Sequence, residues 1–323
     1  MAKYKVALIE VFSSDVLAGI ASCMPEEFEL VATKTHDEQE KIAVATGADF
    51  ILVGGVPLSA AVIAASSKLR LIQKWGIGVD KIDLKAAAAR GIPVGITAGA
   101  NATPVAEHAI ALMLAVYRRL PYVDRKLRQG IWLKSEYRSF SYQLNGKTVG
   151  IIGLGNIGRK VARRVQAFDA KVIYYDMVRP SPEVEAELEV AYRPLDELLA
   201  QADIITLHTP LLPETRNLID ARAFSLMKPT AIVINTSRGP VIDEPAMVDA
   251  LKTGKIMAAG LDTFVKEPAE AGNPLFELEN VVVTPHIAGG VMDNVANQAR
   301  HCFANMQKVL KGEPLSKADL IPL

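Results

Sequence analysis

Short runs of apolar residues recur along the chain, and between them lie longer stretches in which apolar positions return at helical spacing. The first series of runs is Val6 to Ile9, Phe28 to Val31, Phe50 to Val53, Leu71 to Trp75 and Pro93 to Ile96. Runs this short and this apolar, alternating with helical stretches, predict a parallel sheet covered by helices on both faces. A second series follows: Thr148 to Ile152, Val172 to Tyr175, Ile204 to Leu207, Ala231 to Asn235, Met257 to Leu261 and Val281 to Thr284. Six strands with intervening helices match the doubly wound dinucleotide-binding fold. Between the series, Asn101 to Pro121 reads as a long apolar helix closed by its proline, carrying the chain from one domain to the next. A last helix, expected from Val291 to Leu310, follows the second series and returns the chain to the first domain.

At 323 residues, half of them hydrophobic, the chain has material for two cores. Lys plus Arg equals Asp plus Glu at 36 each, which leaves no net charge to attract nucleic acid or an anionic membrane. Cys23 and Cys302 are too few for a disulfide framework and lack the paired spacing of a zinc site, so a reducing cytoplasm and no metal are expected. The start, MAKYKVALIE, reads as a strand rather than a signal peptide, and no apolar run is long enough to span a membrane.

In TVGIIGLGNIGRKVARRVQAFDAKVIYYD, Gly153, Gly155 and Gly158 form GxGxxG directly after a strand and at the mouth of a helix. The first glycine permits a tight turn, the second lets backbone approach a pyrophosphate, and the third lets the helix pack close to the sheet. Asp176 ends the next strand, where a carboxylate hydrogen-bonds the ribose hydroxyls of NAD and repels the 2'-phosphate of NADP. GxGxxG alone is weak and often an ordinary glycine turn; strand, helix, spacing and acid together argue for a nucleotide. Arg179, just past the acid, is placed to meet a 2'-phosphate, although a solvated loop arginine is its plainer reading.

AIVINTSRGPVID puts an arginine, Arg238, just beyond a buried strand, where an unpaired guanidinium is costly. Open doubly wound sheets bind ligands at that edge. Glu267 in GLDTFVKEPA and His286 in VVVTPHIAGG fall at comparable places. Each alone has a bland reading: a satisfied loop arginine, a solvated glutamate, a capping histidine. Together, beside a dinucleotide cradle, they suit hydride transfer. Arg238 would hold a substrate carboxylate and polarise its carbonyl, His286 would exchange the hydroxyl proton, and Glu267 would orient the ring and raise its pKa.

These stretches, with KWGIGVDKIDL, NATPVAEHAIALMLA, LNGKTVGIIGLGNIG, LHTPLLPETRNLI and MKPTAIVINTSRGPVIDE, make the chain similar to the D-isomer-specific 2-hydroxyacid dehydrogenases over nearly its whole length. The resemblance implies an α/β protein of two doubly wound parallel-sheet domains. A Rossmann NAD-binding domain, 100–289, would be inserted into a split flavodoxin-like substrate domain, 1–99 and 290–323, the two closing over a cleft. Arg238, Glu267 and His286 stand where the family's catalytic residues stand. Implied cofactor contacts are Gly153, Gly155, Asn156, Ile157, Gly158, Asp176, His208, Thr209, Pro210, Thr215, Thr236, Asp262 and Gly289. Asp262 is expected at the nicotinamide carboxamide, and His208 under the adenosine rather than as an acid or base. Backbone amides around Ile77, Gly78 and Val79, with Asn101, Arg238 and His286, are implied for the substrate; without the resemblance, the loop suits a plain turn equally well. His108 of AEH reads as a satisfied core histidine. Trp132 resembles the position that family dimers bury, which implies a homodimer, although an aromatic after glycine is more often core.

The resemblance leaves the substrate open. The loop after the third strand, GGVPLSAAV, carries no positive charge, which favours a small unphosphorylated acid such as glyoxylate or hydroxypyruvate over 3-phosphoglycerate. Lys74, beside Trp75, is a basic candidate for this role, or else a solvated strand-end lysine. Other readings are a D-3-phosphoglycerate dehydrogenase of serine biosynthesis, an NAD-sensing corepressor-like scaffold, and oxidation of a small anion such as formate or phosphite.

Overall fold

The computed structural model describes residues 3–323. The strands are β1 (Tyr4–Ile9), β2 (Phe28–Ala32), β3 (Phe50–Val53), β4 (Leu71–Lys74), β5 (Val94–Gly95), β6 (Thr148–Ile152) and β7 (Lys171–Tyr175). They continue with β8 (Ala191–Tyr192), β9 (Ile204–Leu207), β10 (Ile232–Asn235), β11 (Ala258–Leu261), β12 (Val281–Val283) and β13 (Leu320–Ile321). The chain separates into two compact units, Met1–Asn101 with Gly290–Leu323, and Ala102–Gly289.

In the first unit the sheet runs β13-β5-β4-β3-β1-β2. Every pairing is parallel except β13 with β5. Successive residues of β1 and β3 face opposite sides, so both faces must be covered. Ala7, Ile9, Ile51 and Val53 pack on one side, and Val6, Leu8, Phe50 and Leu52 on the other. The second side is closed largely by the helix Met292–Leu310, whose Phe303 stacks on Phe28 at 5.6 Å and buries Cys302 and Met306 beside it. Burial pushes the Cys302 thiol well above its ordinary pKa.

The second unit's sheet is parallel throughout, in the order β12-β11-β10-β9-β6-β7-β8. Ile232 and Ile234 face the helices Ala102–Tyr117 and Asn156–Gln166, while Val233 faces the core shared with Ala221–Leu226 and Glu244–Lys252. The order reverses between β6 and β9, which puts the switch point at the carboxyl end of β6, where the glycine cradle begins.

Three details differ from the sequence reading. The second sheet has seven strands and the first gains an antiparallel sixth. Both additions, Ala191–Tyr192 and Leu320–Ile321, are two residues long. Pro121 does not close the long helix, which ends at Tyr117; Arg119 turns left-handed at φ 45°, and Pro121 lies in the first turn of a new helix, Leu120–Arg128. Proline fits there because a first-turn N–H has no helical acceptor to lose.

Candidate active site

The cradle after β6 is built from glycines that each answer a different constraint. Gly153 takes φ +97°, and a Cβ there would come within 2.8 Å of the His208 backbone carbonyl. A Cβ on Gly158 would overlap the Gly153 carbonyl oxygen, so only glycine lets the helix sit this close to the strand. Gly155, by contrast, faces open space. It is the N-cap of Asn156–Gln166 and supplies no side chain to the first-turn amides, which leaves them for an anion.

Asp176 stands across the cradle, its Oδ2 accepting from the Leu154 amide at 2.7 Å and its Oδ1 from Val178 at 3.0 Å. Arg179 is engaged elsewhere: Nε and Nη2 meet the two Glu185 oxygens at 2.7 and 2.8 Å, and the guanidinium lies 5.1 Å from the centre of the Tyr192 ring. That pairing, with a hydrogen bond from Tyr174, holds the Glu185 carboxyl well below the usual carboxylate range. After β9, the ring of His208 shares a 2.9 Å hydrogen bond with Thr206 through Nε2, and burial pushes its pKa down to about 3. It is therefore neutral at any working pH and no proton shuttle. Its Nδ1 and the hydroxyls of Thr209 and Thr236 are buried without a hydrogen-bond partner among the described residues. Orphaned polar atoms of this kind are those a ligand satisfies. Uncapped amides, the open face of Gly155, the Asp176 carboxylate and these orphans together fit a dinucleotide.

Beyond β10, Asn235 ties a knot: its Oδ1 accepts from the Ser237 amide and hydroxyl at 2.9 and 2.8 Å, and its Nδ2 donates to the Arg238 carbonyl at 2.9 Å. The knot presents Arg238, half-buried, with one guanidinium nitrogen on the Ser237 carbonyl at 2.9 Å. Next to it, Gly239 lies so close to the Phe264 backbone that a Cβ would overlap it. The arginine loop is thereby pressed against the loop that carries Glu267. Both Glu267 oxygens lie 2.9 Å from His286 Nδ1, and Oε1 also accepts the Phe264 amide at 3.3 Å. With Nδ1 taken, Nε2 is the nitrogen that His286, 40% exposed, turns to a reactant.

His286 has φ 54°, a left-handed conformation that costs free energy for a residue with a Cβ. Asp262 holds it there. The Asp262 carbonyl accepts the His286 amide at 2.8 Å, Oδ1 accepts the Thr284 hydroxyl at 2.6 Å and the Ile287 amide at 2.9 Å, and Oδ2 accepts Ala288 at 2.9 Å. His108 closes the network, its Nε2 2.9 Å from the Thr284 hydroxyl and 3.5 Å from Oδ1. Burial would raise the Asp262 carboxyl, but His108, Thr284 and the two amides outweigh it and hold the group below the ordinary range. The carboxylate expected at a nicotinamide carboxamide is thus fully buried and spent on positioning the histidine loop. Thr215 differs in the same way: its hydroxyl donates to the Pro210 carbonyl at 2.7 Å and accepts the Leu212 amide at 2.8 Å, so it shapes its own loop. Asn156 and Ile157 open the helix after β6, Pro210 lies in the loop after β9 and Gly289 in the loop after β12.

In the first unit, Gly76 takes φ +111° at the end of β4, and its amide donates to the Thr97 hydroxyl at 3.0 Å. The following amides, Ile77, Gly78 and Val79, meet no protein acceptor among the described residues. Lys74 is buried rather than solvated: Nζ donates to the Gly54 carbonyl at 2.6 Å and to Trp75 at 3.0 Å. The Asn101 Oδ1 is buried and has no hydrogen-bond partner among the described residues.

Sequence reasoning missed Asn235, Gly239 and Thr284. A polar residue closing an apolar run was the available signal for Asn235; the other two declare themselves only through loops distant in sequence.

Residues 110–288 match the family model for the D-isomer specific 2-hydroxyacid dehydrogenase NAD binding domain. A D-3-phosphoglycerate dehydrogenase of Mycobacterium bovis is 38% identical over 95% of this chain, which spans 58% of that relative's length. A glyoxylate reductase of Korarchaeum cryptofilum is 40% identical over 80% of this chain and 78% of its own. The structure of a D-isomer specific 2-hydroxyacid dehydrogenase from Lactobacillus delbrueckii, in its NAD complexed form, superposes with a TM-score of 0.79 at 25% identity, covering 98% of this chain and 100% of that one. With its cradle, its arginine loop and its paired glutamate and histidine, the chain belongs to the D-isomer specific 2-hydroxyacid dehydrogenase family.

Proposed function

We propose that the chain interconverts a small, unphosphorylated D-2-hydroxy acid and its 2-oxo acid, of glyoxylate or hydroxypyruvate type, with NAD. The observation that carries this reading is the 2.9 Å pairing of His286 Nδ1 with Glu267, beside the Arg238 loop on the edge that also bears the uncapped helix. NAD would be held by the amides from Gly155 to Gly158, by Asp176 and by the polar atoms beyond β9 and β10, and supplies the hydride acceptor in oxidation and the donor in reduction.

Arg238 meets the substrate carboxylate and the oxygen on C2 through charge-assisted hydrogen bonds, which strengthen as charge develops on that oxygen. His286 Nε2 takes the hydroxyl proton in oxidation and returns it in reduction. Glu267 fixes the ring's orientation and tautomer and balances the imidazolium once the proton has arrived. The unspent amides of Ile77, Gly78 and Val79 are the proposed partners of the substrate carboxylate, with Asn101 beside them. The fixed Asp176 carboxylate and the binding of Arg179 to Glu185 support NAD over NADP in this reading. Residues 100–289 serve as the cofactor domain and 1–99 with 290–323 as the substrate domain.

The working state proposed is a cytoplasmic homodimer. Leu120, Leu127, Ile131 and Trp132 are 49, 56, 43 and 72% exposed, an apolar stripe suited to a second copy. Sedimentation as a monomer at micromolar concentration would exclude the dimer. The 38% identity to phosphoglycerate dehydrogenases favours a second reading, turnover of a phosphorylated acid. A panel of glyoxylate, hydroxypyruvate and 3-phosphohydroxypyruvate with NADH decides between them by kcat/KM, and turnover of none refutes both.

A further inference from the structure

The first sheet has a switch point of its own. β1 and β3 are neighbours, with β2 beyond one and β4 beyond the other. The helix after β1, Ser14–Ser22, packs on the face that holds Phe303, whereas Ala60–Ala64 after β3 packs on the opposite face. Where successive connections part in this way, the carboxyl edge opens into a crevice that takes ligands.

Glu10 and Gly54–Gly55 form that edge. Glu10 directly follows β1, and Gly54 directly follows β3. Glu10 Oε2 accepts the Gly55 amide at 2.6 Å, and Oε1 accepts the Val11 amide at 3.0 Å. A Cβ on Gly54 would overlap this carboxylate, so the glycine leaves room for the Glu10 side chain in this position. The loop's amide, a natural partner for an incoming anion, is already taken by a carboxylate.

Two buried cations reach this loop, and exposed Lys34 follows β2 at the neighbouring strand end. Lys74 donates to the Gly54 and Trp75 carbonyls, and Lys41 donates to the Pro57 carbonyl at 3.4 Å and lies 3.5 Å from Glu38. Both lysines are buried, at 9 and 5% exposure, and both reach the backbone of the loop from within. Glu10 is half-exposed. Of these groups at the ends of β1 and β3, the Glu10 carboxylate is the one that reaches solvent.

We propose that Glu10 is a specificity-determining residue whose carboxylate, at the switch point of the first sheet, turns away acids with an anionic tail and admits tails that are neutral or donate hydrogen bonds. Opposing like charges are a direct means of discriminating between otherwise similar ligands. The assignment rests on the 2-oxo acid reading above and narrows its substrate class.

The test compares kcat/KM with NADH for oxaloacetate and 2-oxosuccinamate, which are nearly isosteric and differ in a tail carboxylate against a carboxamide. Glyoxylate, which has no tail, is the reference. The wild-type protein is expected to prefer the amide by about tenfold or more, and Glu10→Gln to bring that preference within about threefold by gaining on oxaloacetate, with glyoxylate nearly unchanged. Glu10→Asp keeps the charge and most of the preference. A preference that survives intact in Glu10→Gln overturns the assignment, as does an Asp variant that behaves like Gln. Should Glu10→Gln fail to fold, the wild-type preference measured against ionic strength decides: repulsion at a half-exposed carboxylate is screened, so the preference must narrow with salt. One that is absent or insensitive to salt overturns the proposal. A wild-type protein that reduces glyoxylate but shows no amide preference sinks the role of Glu10 alone, whereas one that reduces none of the three acids sinks the dehydrogenase reading with it.

Discussion

In the second unit the loop beyond β10 is knotted by Asn235 and those beyond β11 and β12 are tied to each other by Asp262 and Thr284, whereas the loop beyond β4 in the first unit has three successive amides unspent among the described residues. Both edges end parallel sheets wound in the same manner. One has fixed side chains and the other has open backbone. A group that moves a proton must be held in one orientation and one tautomer, which requires neighbours whose hydrogen bonds are all committed. A surface that only has to receive an anion needs donors pointing outward and little else. Under the proposed function the second edge carries the chemistry and the first the recognition, and each part can be attacked separately.

The severest test falls on His286. Replacement by Ala should lower kcat by about a thousandfold, within the span typical of a lost general acid or base. The NADH dissociation constant, read by fluorescence titration, should barely move because the cradle is untouched; an Ala variant with near-normal turnover would place the proton transfer elsewhere. Next comes Arg238→Lys, expected to cost about a hundredfold in kcat/KM, since an ammonium cannot reproduce the planar fork. Near-wild-type kinetics there would show that the arginine is not the substrate's anchor.

A smaller effect is expected from Asp176→Ala. The ratio of kcat/KM for NADPH to that for NADH should rise by about tenfold, as one repulsive contact with the 2'-phosphate is removed. A wild-type protein that already prefers NADPH would contradict the role of the carboxylate.

The mildest effect concerns stability and acid. His208 is held neutral, with a folded pKa of about 3, while the unfolded chain takes up that proton near the ordinary value of about 6.5. Between those values the unfolded state binds more protons, so stability is lost as pH falls from about 6.5 toward about 3. His208→Asn should flatten this part of the curve. Urea midpoints at pH 6.5 and pH 4.5 give the comparison, and equal slopes in the two proteins would remove His208 from the account.

Strands buried on both sides were the easiest elements to read. Phe50–Val53 is an unbroken apolar run because every position is buried, and Ile204–Leu207 departs from one only at the buried Thr206. Ala191–Tyr192 and Leu320–Ile321 carry no such pattern; they are strands only because β7 and β5 offer them an edge. At the site, Arg238, Glu267 and His286 were legible as polar groups beyond apolar runs. Their supports were not: His108 and Thr284 are 176 residues apart, and nothing local to either announces the other. Asp262 was legible as an acid at a strand end, but its burial could be read only once four donors had been brought around it.

The helix Met292–Leu310 bears on how the protein is made. Phe28 leaves a ribosome well before the aromatic face against which it stacks, which arrives with Phe303, 275 residues further along the chain. The second unit is continuous from Ala102 to Gly289 and can fold while translation proceeds, as domains generally do. The first unit begins earlier and finishes later, and until the last helix appears one face of its sheet, Leu8, Phe28, Phe50 and Leu52 included, lacks much of its cover. Nascent chains stalled before that helix should therefore resist proteolysis across the middle of the sequence and be cut readily in the first hundred residues.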